Sequence, residues 1–415
     1  MNIMREIGYS DRVFHYKDTR DLRIRMTLAD DVKPDILKMA VQKALGDFPE
    51  YAVAPVRKGN TVYYETNTRP VCFFPYDKTE RWFGTEEMNY YMFCVLYEGK
   101  TFTLSMFHTL TDFFGMWHFI QNILYYYAVE LGHDVPDITS PNPDIDDMER
   151  YNPYAKFQDR NAELVIPEIK REIFSIPVEK LPLELHQQHE FTITFPLKPF
   201  LAMTHEWGAS AVSAMTAIIS NTVANLYDAG DKEVLIKLPA DMRGLLGCKT
   251  RVNFSEAVIL PSSRESRELP VGEHSRLIRQ IMRSQLTEGN FRKYIAIGVA
   301  NARALSGEID KPDVTAPKIP LTYAITYPGK MDLPQEYNSV VSDFELKAFV
   351  PVDPVRFSVK TTADTIRIDS AQLFDGPELV NAVAESFGQL GLKCSVQDMG
   401  RFGGNRYSLE KVRRA

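Results

Sequence analysis

The chain has 415 residues, 44% hydrophobic and 25% charged, which supplies core for two or three compact units and excludes a disordered chain. Its 55 acidic against 48 basic residues give a net charge of −7, opposite in sign to a typical nucleic-acid binder. Four widely spaced cysteines, Cys72, Cys94, Cys248 and Cys394, form no CxxC pair. Neither a disulfide framework nor a zinc cluster is expected, and a cytoplasmic location is. No apolar run approaches the ~18 residues a membrane helix needs, and the N-terminus shows no apolar leader.

In chain order, residues 23–28 alternate apolar and polar side chains with the period of a half-buried strand. A helix follows, with Asp31 as its expected cap, Pro34 in its first turn and an apolar stripe of Ile36, Leu37, Ala40, Val41, Ala44 and Leu45. Residues 61–66, 89–97 and 101–107 read as strands, the last two joined as a hairpin at Glu98-Gly99-Lys100. After Phe107 the period lengthens. Trp117, Ile120, Ile123, Leu124, Tyr127 and Val129 recur at helical spacing up to Gly132, which puts residues 108–113 at a strand-to-helix junction.

Residues 136–189, rich in proline and charge, read as an exposed connection. Beyond it the pattern predicts a strand at 190–195, helices at 197–206 and 210–227, strands at 233–238 and 256–260, and a helix at 274–286. Strands at 321–326, 344–350, 355–360 and 365–372 and a helix at 377–390 complete it, and the basic tail after Gly400 reads as a solvated end. The expected fold class is mixed α/β in two layered units. Residues 1–135 form the first, 136–189 the connection and 190–415 the second.

The sequence has no GxSxG elbow, HExxH helix, GxxxxGK[ST] loop or GxGxxG after a strand. His186 and His189 flank two glutamines without carboxylate or cysteine support, so no metal site is expected. His108 differs by position: it ends an apolar strand, and Asp112 stands four residues on, just before an apolar helix. A side chain at such a junction projects from the sheet end, where pockets form, and an imidazole titrates near the working pH of a general base. Spacing alone is described at least as well by a junction histidine followed by an N-cap aspartate, since HxxxD arises easily by chance.

His108-Thr-Leu-Thr-Asp112, with Gly115 and the Tyr125-Tyr-Tyr127 end of the helix, resembles the HxxxDG segment of the chloramphenicol acetyltransferase-like superfamily. That superfamily includes condensation domains and alcohol acetyltransferases, and the bacterial alcohol acetyltransferase-like proteins are the nearest in look. Pro239-Ala-Asp-Met-Arg243 followed by Asn253-Phe254 is similar to its P-x-x-x-R segment and Asn-Phe pair, and residues 325–334 are similar to its late S-N-x-G segment. Three positions depart from the pattern: Phe113 stands for the glycine after the aspartate, Phe107 for the first histidine of the doubled form, and Thr326-Tyr327 for the serine and asparagine.

The resemblance implies a two-lobed fold, each lobe a mixed sheet flanked by helices, with His108 in a tunnel between them. It implies an acyltransferase without a tightly bound cofactor, using acyl-CoA as co-substrate and a small-molecule alcohol or amine as acceptor. O-acylation is the expectation over N-acylation. His108 would be the base, Asp112 and Arg243 an organising ion pair, and Thr326 a donor to the oxyanion. Lys249 and Arg251 read as solvated surface charges or, as candidate cofactor-binding residues, as contacts to cofactor phosphates. Two alternatives stay open: a donor carried on an acyl carrier protein, as condensation domains use, and a binding protein that has lost turnover.

Overall fold

The computed structural model describes residues 5–6 and 21–414, except 60, 78, 178–186, 308, 316–318, 330, 350–352 and 363. His15 and His186 lie outside the described residues. Where the sequence marks a hairpin, Phe93–Glu98 and Thr101–Phe107 pair antiparallel about Gly99, whose φ of 50° favours glycine. Asp21–Leu28 extends the ladder on the far side of Thr101–Phe107, and the short strand Phe73–Pro75 pairs parallel to Phe93–Glu98. The helices Pro34–Asp47 and Phe113–Glu130 pack on each other over this sheet through Leu37, Val41, Ala44, Phe119, Ile120 and Ile123, all fully buried. The first helix begins on Pro34 with Lys33 at the cap position, and Asp31, the expected cap, is exposed.

The second sheet has seven strands in the order Ser255–Ser262, Val234–Asp241, Tyr323–Thr326, Val355–Thr361, Thr365–Gln372, Gln187–Pro196, Ser395–Gly403. One face presents Ile236, Leu238, Tyr323, Ile325, Phe357, Val359 and Ile368 to a core covered by helices that include Ala211–Leu226, Val271–Gln285 and Glu378–Gln389. Strand alternation sends Arg356, Ser358, Lys360, Arg367 and Asp369 to the other face.

That polar face meets a strand the expected division assigns to the second unit. Val341–Phe349 is hydrogen-bonded to Asp21–Leu28 and forms the edge of the five-stranded first sheet. Its Asp343, Glu345 and Lys347 pair with Lys360, Arg367 and Glu190 of the second sheet. The unit 190–415 therefore gives a strand to the first core. Alternation identifies a strand but carries no information about which sheet it joins.

The tail is likewise not a solvated end. Ser395–Gly403 pairs with Gln187–Pro196, and Tyr407 then stacks on Phe107 with ring centroids 4.7 Å apart. Asn405 N–H donates to the buried Asp21 carboxylate at 2.8 Å. The connection is only partly exposed: it holds the helices Asp147–Tyr151 and Pro153–Phe157, and Tyr154, Phe157, Phe174 and Ile176 enter the second core. Among the described residues no helix is long and apolar enough to cross a membrane.

Candidate active site

His108 follows directly on the strand Thr101–Phe107, one residue past the last ladder pair, Phe107 with Asp21. Residues 108–110 turn, with Leu110 N–H donating to Phe107 O at 2.9 Å. His108 is half-buried, and its Nδ1 lies 3.0 Å from the Thr111 carbonyl oxygen. A carbonyl only accepts, so Nδ1 carries the proton of the neutral ring and Nε2 the lone pair.

The turn is tied to the second half of the chain. The Thr111 and Tyr51 hydroxyls both reach the Arg251 carbonyl, at 2.9 and 2.8 Å. Burial pushes the Tyr51 phenol well above its ordinary range, so it remains a donor at neutral pH. Gly115 permits this approach. A Cβ there would lie 2.0 Å from Arg251 O, 2.4 Å from Thr111 Oγ1 and 2.6 Å from the Tyr51 hydroxyl.

Asp112 caps the helix Phe113–Glu130 through Oδ1, which accepts from Gly115 N–H at 3.1 Å. Its Oδ2 accepts from Arg243 Nη2 and from Phe254 N–H, both at 2.9 Å. Arg243 is buried and makes further bonds: Nε donates to Thr250 O, Nη2 to Val252 O and Nη1 to Asp241 Oδ1, each at 2.7 Å. Its guanidinium lies over the Phe114 ring, 4.5 Å from the centroid. The two carboxylates beside Arg243 raise its pKa against the opposing effect of burial, so it is charged throughout the usable pH range.

A cavity of about 530 Å³ opens against this cluster. His108, Asp112, Phe113, Trp117 and His118 line it from the first half of the chain, and Asp241, Arg243, Thr326, Tyr327 and Arg356 from the second. Four of the six residues singled out from the sequence, His108, Asp112, Arg243 and Thr326, thus meet on one cavity.

No protein-family model matches the chain, and no curated protein does. Solved structures do. Polyketide synthase associated protein 5 from Mycobacterium tuberculosis superposes with a TM-score of 0.63 at 16% identity, covering 92% of this chain and 96% of that one. TRI101 of F. sporotrichioides, solved with coenzyme A and T-2, gives 0.61 at 11% identity over 94% and 99%. The starter condensation domain of rhizomide synthetase RzmA, solved as a variant with C8-CoA, gives 0.59 at 13% identity over 93% and 95%. The chain has the chloramphenicol acetyltransferase-like fold.

Within this acetyltransferase-like fold two expected residues stand apart from the cavity. The Arg251 guanidinium is buried over the Phe48 ring, 3.6 Å from its centroid, with Nε donating to Glu50 Oε1 at 2.7 Å and Nη2 to Asp47 O. It ties the two halves together instead of facing a phosphate. Lys249 is exposed, donates through its backbone N–H to Glu149 Oε1 at 2.6 Å, and is not part of the cavity wall. Among the described residues no group of three or more His, Cys, Asp and Glu is arranged to hold a metal ion. His189 instead lies between the carboxylates of Asp375 and Asp398, at 2.9 Å from each, and stacks on Phe191.

The cavity also contains residues that motif spacing does not flag. His118, four residues after Phe114, meets that ring edge-on at 4.5 Å. Burial, and then the charges of Arg243 and Arg251, hold its imidazole below the usual range and neutral at pH 7. The signal was helical: Phe114, His118 and Gln121 share one face by their i, i+4, i+7 spacing, and all three line the cavity. Asp241, the second carboxylate on Arg243, has no motif signature.

Proposed function

We propose that the protein transfers an acyl group from acyl-CoA to a hydroxyl, or less readily an amine, of a small molecule, with His108 as general base. The observation that carries this is the Nδ1 contact to Thr111 O, which leaves Nε2 as the basic nitrogen of a histidine on the wall of a cavity of about 530 Å³. In this reading Nε2 removes the acceptor's proton as its oxygen attacks the thioester carbonyl, giving a tetrahedral oxyanion. Collapse expels the thiolate, which takes the same proton back from the imidazolium. A positioned base of this kind contributes ~10²–10⁴-fold.

Thr326 Oγ1, buried on the cavity wall without a described hydrogen-bond partner, is the proposed donor to the oxyanion. Asp112 and Arg243 act as positioning residues: they fix the turn that aims the imidazole and take no part in proton transfer. Acyl-CoA as donor is supported by the coenzyme A and C8-CoA found with TRI101 and the RzmA domain. The RzmA condensation domain also motivates the second reading, a donor loaded on a carrier protein.

A screen of acyl-CoA thioesters with a thiol-reactive dye tests both. Wild type is expected to release free thiol and His108→Ala to lose that release by at least about a hundredfold while melting at the same temperature. Turnover by the folded variant at the wild-type rate overturns the base assignment. Release only from acyl-loaded carrier selects the second reading, and ligand binding without any release selects the turnover-deficient binder.

A further inference from the structure

The cavity wall holds one cation with an unanswered hydrogen-bond donor. Arg356 lies on Val355–Thr361, on the face opposite the fully buried Val355 and Phe357, and lines the cavity with only 6% of its surface exposed. Its Nη2 donates to Asp353, a carboxylate 3% exposed, but no described residue accepts from Nε. Burial of an N–H without an acceptor is unfavourable, and side chains with one left over at a pocket wall point to a ligand atom.

The surrounding charges decide which atom. Asp353 already matches the charge of Arg356, and Arg243 is shared between Asp112 and Asp241. Acidic groups thus outnumber basic ones, and a ligand carboxylate would enter a negative field. A neutral carbonyl oxygen meets the same donor with no charge to accommodate. We infer that Arg356 Nε binds an amide or ester carbonyl of the reactants, anchoring them away from the acyl centre. This rests on the acyltransferase reading for its choice of ligands. The carbonyl has two sources, the amides of the donor's pantetheine arm or an amide on the acceptor.

Calorimetry separates the sources with four probes: pantetheine, 4-(hydroxymethyl)benzamide, benzyl alcohol and 4-(hydroxymethyl)benzoate. The variant is Arg356→Lys, which keeps a cation opposite Asp353 and removes the Nε–H. If the donor arm fills the site, pantetheine binds about tenfold more weakly to the variant and the benzamide is unaffected. If the acceptor fills it, the benzamide binds wild type about tenfold more tightly than benzyl alcohol, and the variant abolishes that preference. Equal losses for all probes, no loss for either amide, the benzoate binding most tightly, or no binding of any probe at millimolar concentration overturns the inference.

Should Arg356→Lys fail to fold, Asp353→Asn with Arg356→Met removes the pair together and replaces it. The probe ranking on wild type needs no variant. Amide binding without thiol release from any acyl-CoA would end the acyltransferase reading and leave this one standing, whereas thiol release with four equal affinities would end this one alone.

Discussion

Replacing Asp112 by asparagine exchanges one oxygen for an NH2 group and leaves the shape almost unchanged, so its effect isolates the charge and the acceptor count. The carboxylate accepts three hydrogen bonds, from Gly115 N–H at 3.1 Å and from Arg243 Nη2 and Phe254 N–H at 2.9 Å. An amide oxygen can keep the last two, but the NH2 group then faces Gly115 N–H, orphaning a buried donor at about 1–3 kcal/mol. Arg243 loses one of its two carboxylates and keeps Asp241, so the loss stays below the ~3–5 kcal/mol of a wholly broken buried pair. The expected total is about 2–4 kcal/mol, with Asp112→Ala losing more. Urea unfolding followed by tryptophan fluorescence measures it, and thiol release under the same conditions should fall as the turn holding His108 loosens. A variant within about 0.5 kcal/mol of wild type, turning over at the wild-type rate, would refute the organising role of the pair.

Three further outcomes follow from the geometry. Gly115→Ala should destabilise by about 3 kcal/mol, because its Cβ would lie 2.0 Å from a backbone carbonyl that cannot swing aside; Gly46→Ala, with nothing within 4 Å of its Cβ, should gain up to about 1 kcal/mol, and equal melting shifts would contradict both. Phe113→Ala opens the cavity wall, so the ratio of turnover with C8-CoA to that with acetyl-CoA should rise, and an unchanged ratio would show that the ring does not limit the acyl group. His274 is fully buried, and burial lowers its pKa from 6.5 to about 4. The unfolded chain therefore takes up a proton that the folded one resists, and stability is lost as pH falls from about 6.5 towards 4. The loss reaches about 3 kcal/mol, measured as a steeper pH dependence of urea stability in wild type than in His274→Asn.

The strand-to-helix junction at residues 108–113 was legible because the change of period and the cap residue are local: Asp112 is the N-cap of Phe113–Glu130, and Gly132 follows with a φ of 83°. The seven-stranded order was not, since which strands become neighbours depends on hydrogen bonds between distant segments. Val341–Phe349 reads as a strand from its own residues, yet its place beside Asp21–Leu28 is set by pairing over three hundred positions away. The helix Glu288–Ser306 escaped notice because its buried residues include Ala296 and Ala300 beside Phe291 and Ile295, a weakly apolar stripe. Tyr154, Phe174 and Tyr407 anchor short segments, and one or two buried side chains leave no periodicity. Arg251 illustrates a further blindness: a cation next to a motif looks alike whether it meets a phosphate or the buried Glu50.

The strand exchanged between the two sheets constrains how such a protein can be recombined. A gene divided at the apparent midpoint yields a first fragment whose Asp21–Leu28 edge is bare, open to pairing with any passing chain and so prone to precipitate. The second fragment keeps Asp343, Glu345 and Lys347 but loses the ladder that presents them to Lys360, Arg367 and Glu190. A chimera that trades one half for that of a relative must therefore carry residues 341–349 with the first sheet, against the order in which they are encoded.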